Sequence, residues 1–176
     1  MIRAVMLGAV ICGAGAAQTL VEPGQAGVCC QGIAQEARRE LLRLPAYGVF
    51  DDLKFTWNGK VLILSGEATC PELRDDAAVV ATTLPGVRTV QNKIVVLAPS
   101  ASDNRLRMAE FQAIYGNQKL GWYARRAAPP IRIIVNHGSI KLEGTVASEG
   151  DRKLAGVLAG GVTGASSVMN ELQIEP

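Results

Sequence analysis

The chain has 176 residues, enough for one ordinary domain or two small ones. Hydrophobic residues make up 48% and charged residues 19%, a globular composition that excludes a disordered acidic tail and a membrane-embedded protein. Lysine and arginine number 18 against 16 aspartates and glutamates, so there is no overall pull toward nucleic acid.

Taken in chain order, Arg3 precedes the apolar stretch Ala4 to Ile11, and small residues follow through Ala17. This is the layout of a secretion leader, and the apolar run is too short to span a bilayer. Residues 1–17 are therefore expected to be a signal peptide cleaved near Ala17, leaving a periplasmic protein with no transmembrane span. Ile11 is bulky where lipid attachment at Cys12 would need a small neighbour. Residues 18–29 read as an N-terminal linker. Cys29 and Cys30 are adjacent, so bridging them to each other would be strained. A bridge from either to Cys70 stands as the alternative to incidental thiols. No Cys/His spacing suits a metal, and neither a metal nor a cofactor is expected.

Residues 30–98 read as a first module. Ile33, Ala37, Leu41 and Leu44 repeat at helical spacing. Leu53, Phe55 and Trp57 alternate along a strand, Asn58-Gly59 supplies a turn tolerant of positive φ, and Val61 to Leu64 return. Gly66 closes this strand at a bulge or a close backbone approach. Thr69 with Glu72 resembles a capping box, and Pro71 suits a first helical turn. The helix then shows Leu73, Ala77, Val80, Ala81 and Leu84 on one face, and Gly86 ends it. Val90, Asn92, Ile94 and Val96 form one face of a third strand. An amide on that apolar side predicts a fixed hydrogen bond to a neighbouring turn.

Residues 99–102 are a short linker, and residues 103–176 repeat the pattern. Leu106, Ala109, Ala113 and Ile114 predict the opening helix. Ile131, Ile133 and Val135 lead into the turn Asn136-His137-Gly138, and Ile140 and Leu142 return inward while Ser139, Lys141 and Glu143 face out. Gly144 closes the hairpin, and Ser148 with Asp151 forms the second capping box. Leu154, Ala155, Leu158, Ala159 and Val162 line the next helix, Gly164 ends it, and Val168, Asn170, Leu172 and Ile174 form the last strand. A displacement of 78 residues lays Leu53–Val96 over Ile131–Ile174 without a gap, with identities at Asn58/Asn136, Leu64/Leu142, Gly66/Gly144, Arg74/Arg152, Gly86/Gly164 and Asn92/Asn170 among others. Such self-similarity means two copies of one unit. The predicted class is α+β: two tandem α-β-β-α-β modules, each a three-stranded mixed sheet packed against two helices.

The hairpin ending Leu64-Ser65-Gly66 or Leu142-Glu143-Gly144, followed by a helix and then Gly86-Val87-Arg88-Thr89-Val90-Gln91-Asn92-Lys93-Ile94, resembles the BON domain (bacterial OsmY and nodulation). The second copy keeps Gly164, Val168, Asn170 and Leu172 but has Ala165 where the family usually shows valine. The resemblance covers nearly all of the chain beyond the leader. It implies a periplasmic binding module linked to osmotic or envelope stress and to phospholipid surfaces, in a family some of whose members are attached to channels or secretins, with no catalytic residues.

The residues agree that this is not an enzyme. His137 is the only histidine and sits in a turn, no GxSxG or HExxH occurs, and the pairs Asp51-Asp52 and Asp75-Asp76 read as solvated charges at element edges. One segment is lopsided: Arg105, Arg107, Lys119, Arg125, Arg126 and Arg132 face a single acid, Glu110. Within it Tyr115, Lys119, Trp122, Tyr123, Arg125 and Arg126 are the candidate binding residues. Tryptophan and tyrosine favour the headgroup zone, and lysine and arginine are drawn to anionic lipid. The same residue types anchor protein interfaces, so the expected partner is anionic phospholipid or, alternatively, an envelope protein.

Overall fold

The computed structural model describes residues 23–126 and 128–175, so the expected signal peptide lies outside the described residues. The chain forms α1 (Pro23–Leu42), β1 (Asp52–Trp57), β2 (Val61–Ala68), α2 (Pro71–Thr83), β3 (Thr89–Asn92) and β4 (Val95–Val96). It then repeats as α3 (Ala101–Tyr115), a 3-10 helix (Gly121–Arg125), β5 (Ile131–Asn136), β6 (Ser139–Val146), α4 (Glu149–Gly160), β7 (Ser167–Asn170) and β8 (Gln173–Ile174). The α-β-β-α-β order occurs twice, as the periodicity predicts. Two boundaries differ from expectation. Helix α1 begins at Pro23, inside the presumed linker 18–29, and α3 begins at Ala101, inside 99–102, where Ser100 accepts a hydrogen bond from the Asp103 N–H at 3.2 Å.

In each module the hairpin is antiparallel and the last strand runs parallel to its middle strand. That last strand comes in two pieces. Both β3 and β4 pair with β2, and both β7 and β8 pair with β6. The break is where Lys93 N–H reaches the Leu64 carbonyl and Glu171 N–H the Leu142 carbonyl.

The alternating residues build two cores. Ala37, Leu41, Leu62, Leu64, Leu73, Ala77 and Ala81 are buried in the first, with Leu53, Phe55 and Trp57 packed against it. Ile131, Ile133, Val135, Ile140, Leu142, Ala155 and Ala159 are buried in the second. Truncating a buried leucine here is worth about 2 to 5 kcal/mol.

Asn92 and Asn170 bridge strand and helix. Each Nδ2 donates to a first-turn helix carbonyl, that of Arg74 at 2.8 Å or Arg152 at 2.7 Å. Each Oδ1 accepts from the N–H two residues on, in Ile94 or Leu172. The partner is therefore a helix and not a turn, because α2 and α4 cross over the break in the third strand. Gly156 leaves room for the Asn170 amide, where a methyl carbon would come within 2.7 Å of Nδ2. Asn170→Ala is expected to cost about 1 to 2 kcal/mol, and the more exposed Asn92→Ala less; urea unfolding reads both. An unchanged midpoint for Asn170→Ala would show that water replaces these bonds at no loss.

Three local expectations are corrected. In the second hairpin the positive φ falls on His137 (+50°) and Gly138, with Asn136 still in the strand, because the Asp103 carboxylate accepts from both the His137 and Gly138 N–H groups at 2.9 and 3.0 Å. Thr69 does not cap α2: Cys70 holds that position without a side-chain bond, and Thr69 turns back to Asp51. The buried face of α3 is Asp103, Leu106, Arg107, Glu110, Ile114 and Tyr115, not the stripe through Ala109 and Ala113. Asp103 meets the 136–138 turn and Arg107 the β5 backbone, contacts that apolar periodicity does not register. Ser148 does cap α4, accepting from the Asp151 N–H at 3.1 Å. Cys70 is a free thiol among the described residues; Cys29 and Cys30 lie on α1, their side chains outside the described set.

Candidate functional site

The aromatic and basic segment is anchored from beneath by the two residues least available to a partner. Tyr115 and Tyr123 are buried in the second core. Tyr115 donates its hydroxyl to the Ile131 carbonyl at 2.6 Å, and burial pushes its phenol up to about 12. Tyr123 donates to Asp151 Oδ2 at 2.9 Å and accepts from the Ala147 N–H at 2.6 Å, and burial raises its phenol too. Neither side chain faces outward, a correction to the expectation that they bind: a tyrosine between a helix and a sheet buries its ring when its hydroxyl finds a partner inside.

The outward part is Lys119, Trp122, Arg125 and Arg126. Trp122 is 41% exposed and stacks on Tyr123, with ring centroids 3.9 Å apart. The Arg126 guanidinium lies 5.1 Å from the Trp122 centroid and pairs with Glu175 at 2.7 Å. Lys119 and Arg125 are exposed and make no ion pair among the described residues. Of the other basic residues in the lopsided segment, Arg107 and Arg132 are buried. Arg107 donates to the Val135 carbonyl at 2.7 Å. The basic surface is thus smaller than the sequence count.

A second constellation arises where the modules meet. Asp51 and Asp52, expected to be solvated, are buried. Asp51 Oδ1 accepts from the Thr69 N–H and hydroxyl at 2.7 and 2.8 Å, and Oδ2 from the Gly48 N–H at 2.9 Å. The loop so held presents the Val49 carbonyl to the Ile133 N–H at 2.9 Å and the Gly48 carbonyl to Arg132 Nη1 at 2.8 Å. The Arg132 guanidinium sits 4.4 Å over the Tyr47 ring, and Phe50 meets Phe111 edge-on at 6.3 Å. Glu143, expected to face solvent, is buried against the first module, with Lys54 at 2.7 Å and Lys141 at 3.4 Å; Lys141 also reaches Glu67 at 2.8 Å. Although burial opposes its charge, those two lysines hold Glu143 below the usual carboxylate range. Burial raises Asp52, with Lys54 at 3.2 Å opposing.

Beside this network lies a cleft of about 790 Å³, lined from both modules by Arg38, Leu42, Asp52 to Phe55, Pro130, Gly144 and Glu171 among others. The repeat conceals it: the residues of the first module matching Lys141 and Glu143 are Ile63 and Ser65. The one available signal was unlike charges on the outward faces of otherwise matching strands. Among the described residues no group of histidine, cysteine, aspartate or glutamate could hold a metal ion, and no helix is long and apolar enough to cross a membrane.

The family model for the BON domain matches residues 31–98 and 117–176. No curated protein matches the chain. Among solved structures, the C-terminal domain of CdsD, the structural protein of the type III secretion system of Chlamydia trachomatis, aligns at 12% identity and TM-score 0.29, over 81% of this chain and 96% of that one. A second CdsD structure aligns at 14% identity and TM-score 0.32, over 84% of this chain and 64% of that one. Overlaps this weak carry no argument about function.

Proposed function

The chain belongs to the BON domain family, of which it carries two copies in tandem, and from that premise we propose that it is an exported, non-catalytic binding protein of the cell envelope whose second module rests on anionic phospholipid. The observation that carries this reading is the exposed Trp122 on the 3-10 helix, with Arg126 over its ring and, in the same segment, the exposed cations Lys119 and Arg125, which make no ion pair among the described residues. An indole places itself at the headgroup level, and each neighbouring cation adds about 1 kcal/mol against an anionic surface. Tyr115 and Tyr123 serve by holding the segment in place. The leader-like residues 1–17 support export.

Sedimentation with phosphatidylglycerol vesicles at low and high salt tests the reading. Binding is expected at low salt, to weaken at high salt, and to fall at least about thirtyfold in the Lys119→Glu, Arg125→Glu double variant. Equal binding to neutral phosphatidylcholine vesicles, or none at any salt, would sink it. A protein-docking adaptor is the second reading. It is favoured by Val79 and Val157, the same position of the two copies, which are 63% and 72% exposed on α2 and α4. An adaptor of that kind would leave vesicles untouched.

A further inference from the structure

We propose that the cleft between the modules receives an extended peptide segment of a partner protein, which adds as a strand to the free edge of β1. The first module's sheet has the order β1-β2-β3, so among the described residues β1 pairs on one side only. Asp52, Leu53, Lys54 and Phe55 all line the cleft. Successive side chains of a strand point to opposite faces, so a space touching four in a row wraps around the strand's edge. That edge offers unpaired backbone N–H and C=O groups, the template for an added strand. Only alternate residues of a paired strand turn their backbone groups to the free edge. The Asp52 carbonyl points to Gly66 on β2, so Leu53, Phe55 and Trp57 turn theirs outward. The Tyr47 hydroxyl lies at the backbone of Leu53, which leaves Phe55 and Trp57 as the open positions.

The walls suit a peptide. Leu41, Leu42, Leu53, Phe55 and Pro130 supply apolar contact, and Leu42 is 41% exposed at the end of α1. The cleft volume of about 790 Å³ falls within the range of sites that enclose a ligand. Most lining charges are already engaged: Arg132 with Gly48, and Lys54 with Glu143. Two are not: Arg38 on the first module and Glu171 on the second have no ion pair among the described residues. One cation and one anion on opposite modules complement a chain that carries both charges, unlike the one-signed surface proposed to meet lipid.

Random peptides displayed on phage and panned against the full chain supply the probe, and a synthetic copy of an enriched sequence is the titrant. Enriched sequences are expected to alternate apolar residues. Affinity is expected to fall about tenfold in Leu42→Glu and in the Arg38→Glu, Glu171→Lys pair, all exposed positions whose change leaves the fold intact. Methylating the peptide's backbone nitrogens is expected to abolish binding at alternate positions and to be tolerated at those between. The amides of Phe55 and Trp57 are expected to gain exchange protection, and that of Lys54, which faces β2, is not. Failure to enrich any sequence, a peptide indifferent to both variants, or tolerance of methylation in both phases would each overturn the proposal.

Discussion

At pH 8 the Glu110→Leu protein is expected to be more stable than its parent, and between pH 5 and pH 8 its stability is expected to be nearly flat where the parent's declines. Glu110 is fully buried on α3, and neither carboxylate oxygen has a hydrogen-bond partner. Arg107, one turn earlier on the same face, donates to Asn104 and to the Val135 carbonyl, and its Nε is itself buried without a partner. With nothing to compensate it, burial raises the carboxyl to about 7. The sign follows from the folded state's tighter hold on the proton. Below the ordinary value near 4.5 both states are protonated and the carboxyl does no harm. As pH rises toward 7 the unfolded chain ionises first, and above 7 the folded protein carries a bare buried charge. The full loss is about 3 kcal/mol, which a leucine of similar volume removes. Urea unfolding of both proteins at pH 5 and pH 8 measures this. A variant no more stable than the parent at pH 8, or one that keeps the parent's slope, would mean that Glu110 is solvated or paired in solution.

Gly144→Ala is expected to cost 3 kcal/mol or more, on the order of the largest single-residue losses. Gly144 has φ +111° opposite Ile131 in the hairpin, and a methyl carbon there would overlap the Pro130 carbonyl oxygen. Gly66 holds the same place in the first module, at φ +110° against the Asp52 carbonyl. In both the obstacle is backbone in or directly before the first strand of the hairpin, which cannot rotate aside as a side chain can. Gly59, at φ +89° with open space around it, separates the two contributions. Gly59→Ala carries conformational strain alone and is expected to cost about 1 kcal/mol. Equal losses at Gly59 and Gly144 in thermal or urea unfolding would show that close approach plays no part.

Residues that are repeated were legible in the sequence, and residues that are not repeated were legible in composition at most. Gly66 and Gly144 read as bulges or close approaches because a lone glycine inside an alternating run has few other uses. Asn92 and Asn170 read as hydrogen-bonded because an amide on an apolar face needs a partner, though that the partner was a helix required knowing which element passes overhead. Thr69 read as a helix cap because its neighbours fit the motif. It was drawn instead to Asp51, 18 positions away, by the local geometry of the loop before β1.

The candidate binding segment was found as a stretch of chain but not as a surface. Tyr115 and Tyr123 have the composition of a lipid contact, yet their hydroxyls are satisfied inside by Ile131, Asp151 and Ala147. The sequence alone determined the module, its duplication and its element order, because these follow from alternation, helical spacing and turn chemistry within a few dozen residues. Only the tertiary structure decided which charges are buried and where a cleft opens. Lys54 meets Glu143 across 89 positions and Lys141 meets Glu67 across 74, and contacts between copies depend on outward-facing residues that no periodicity constrains.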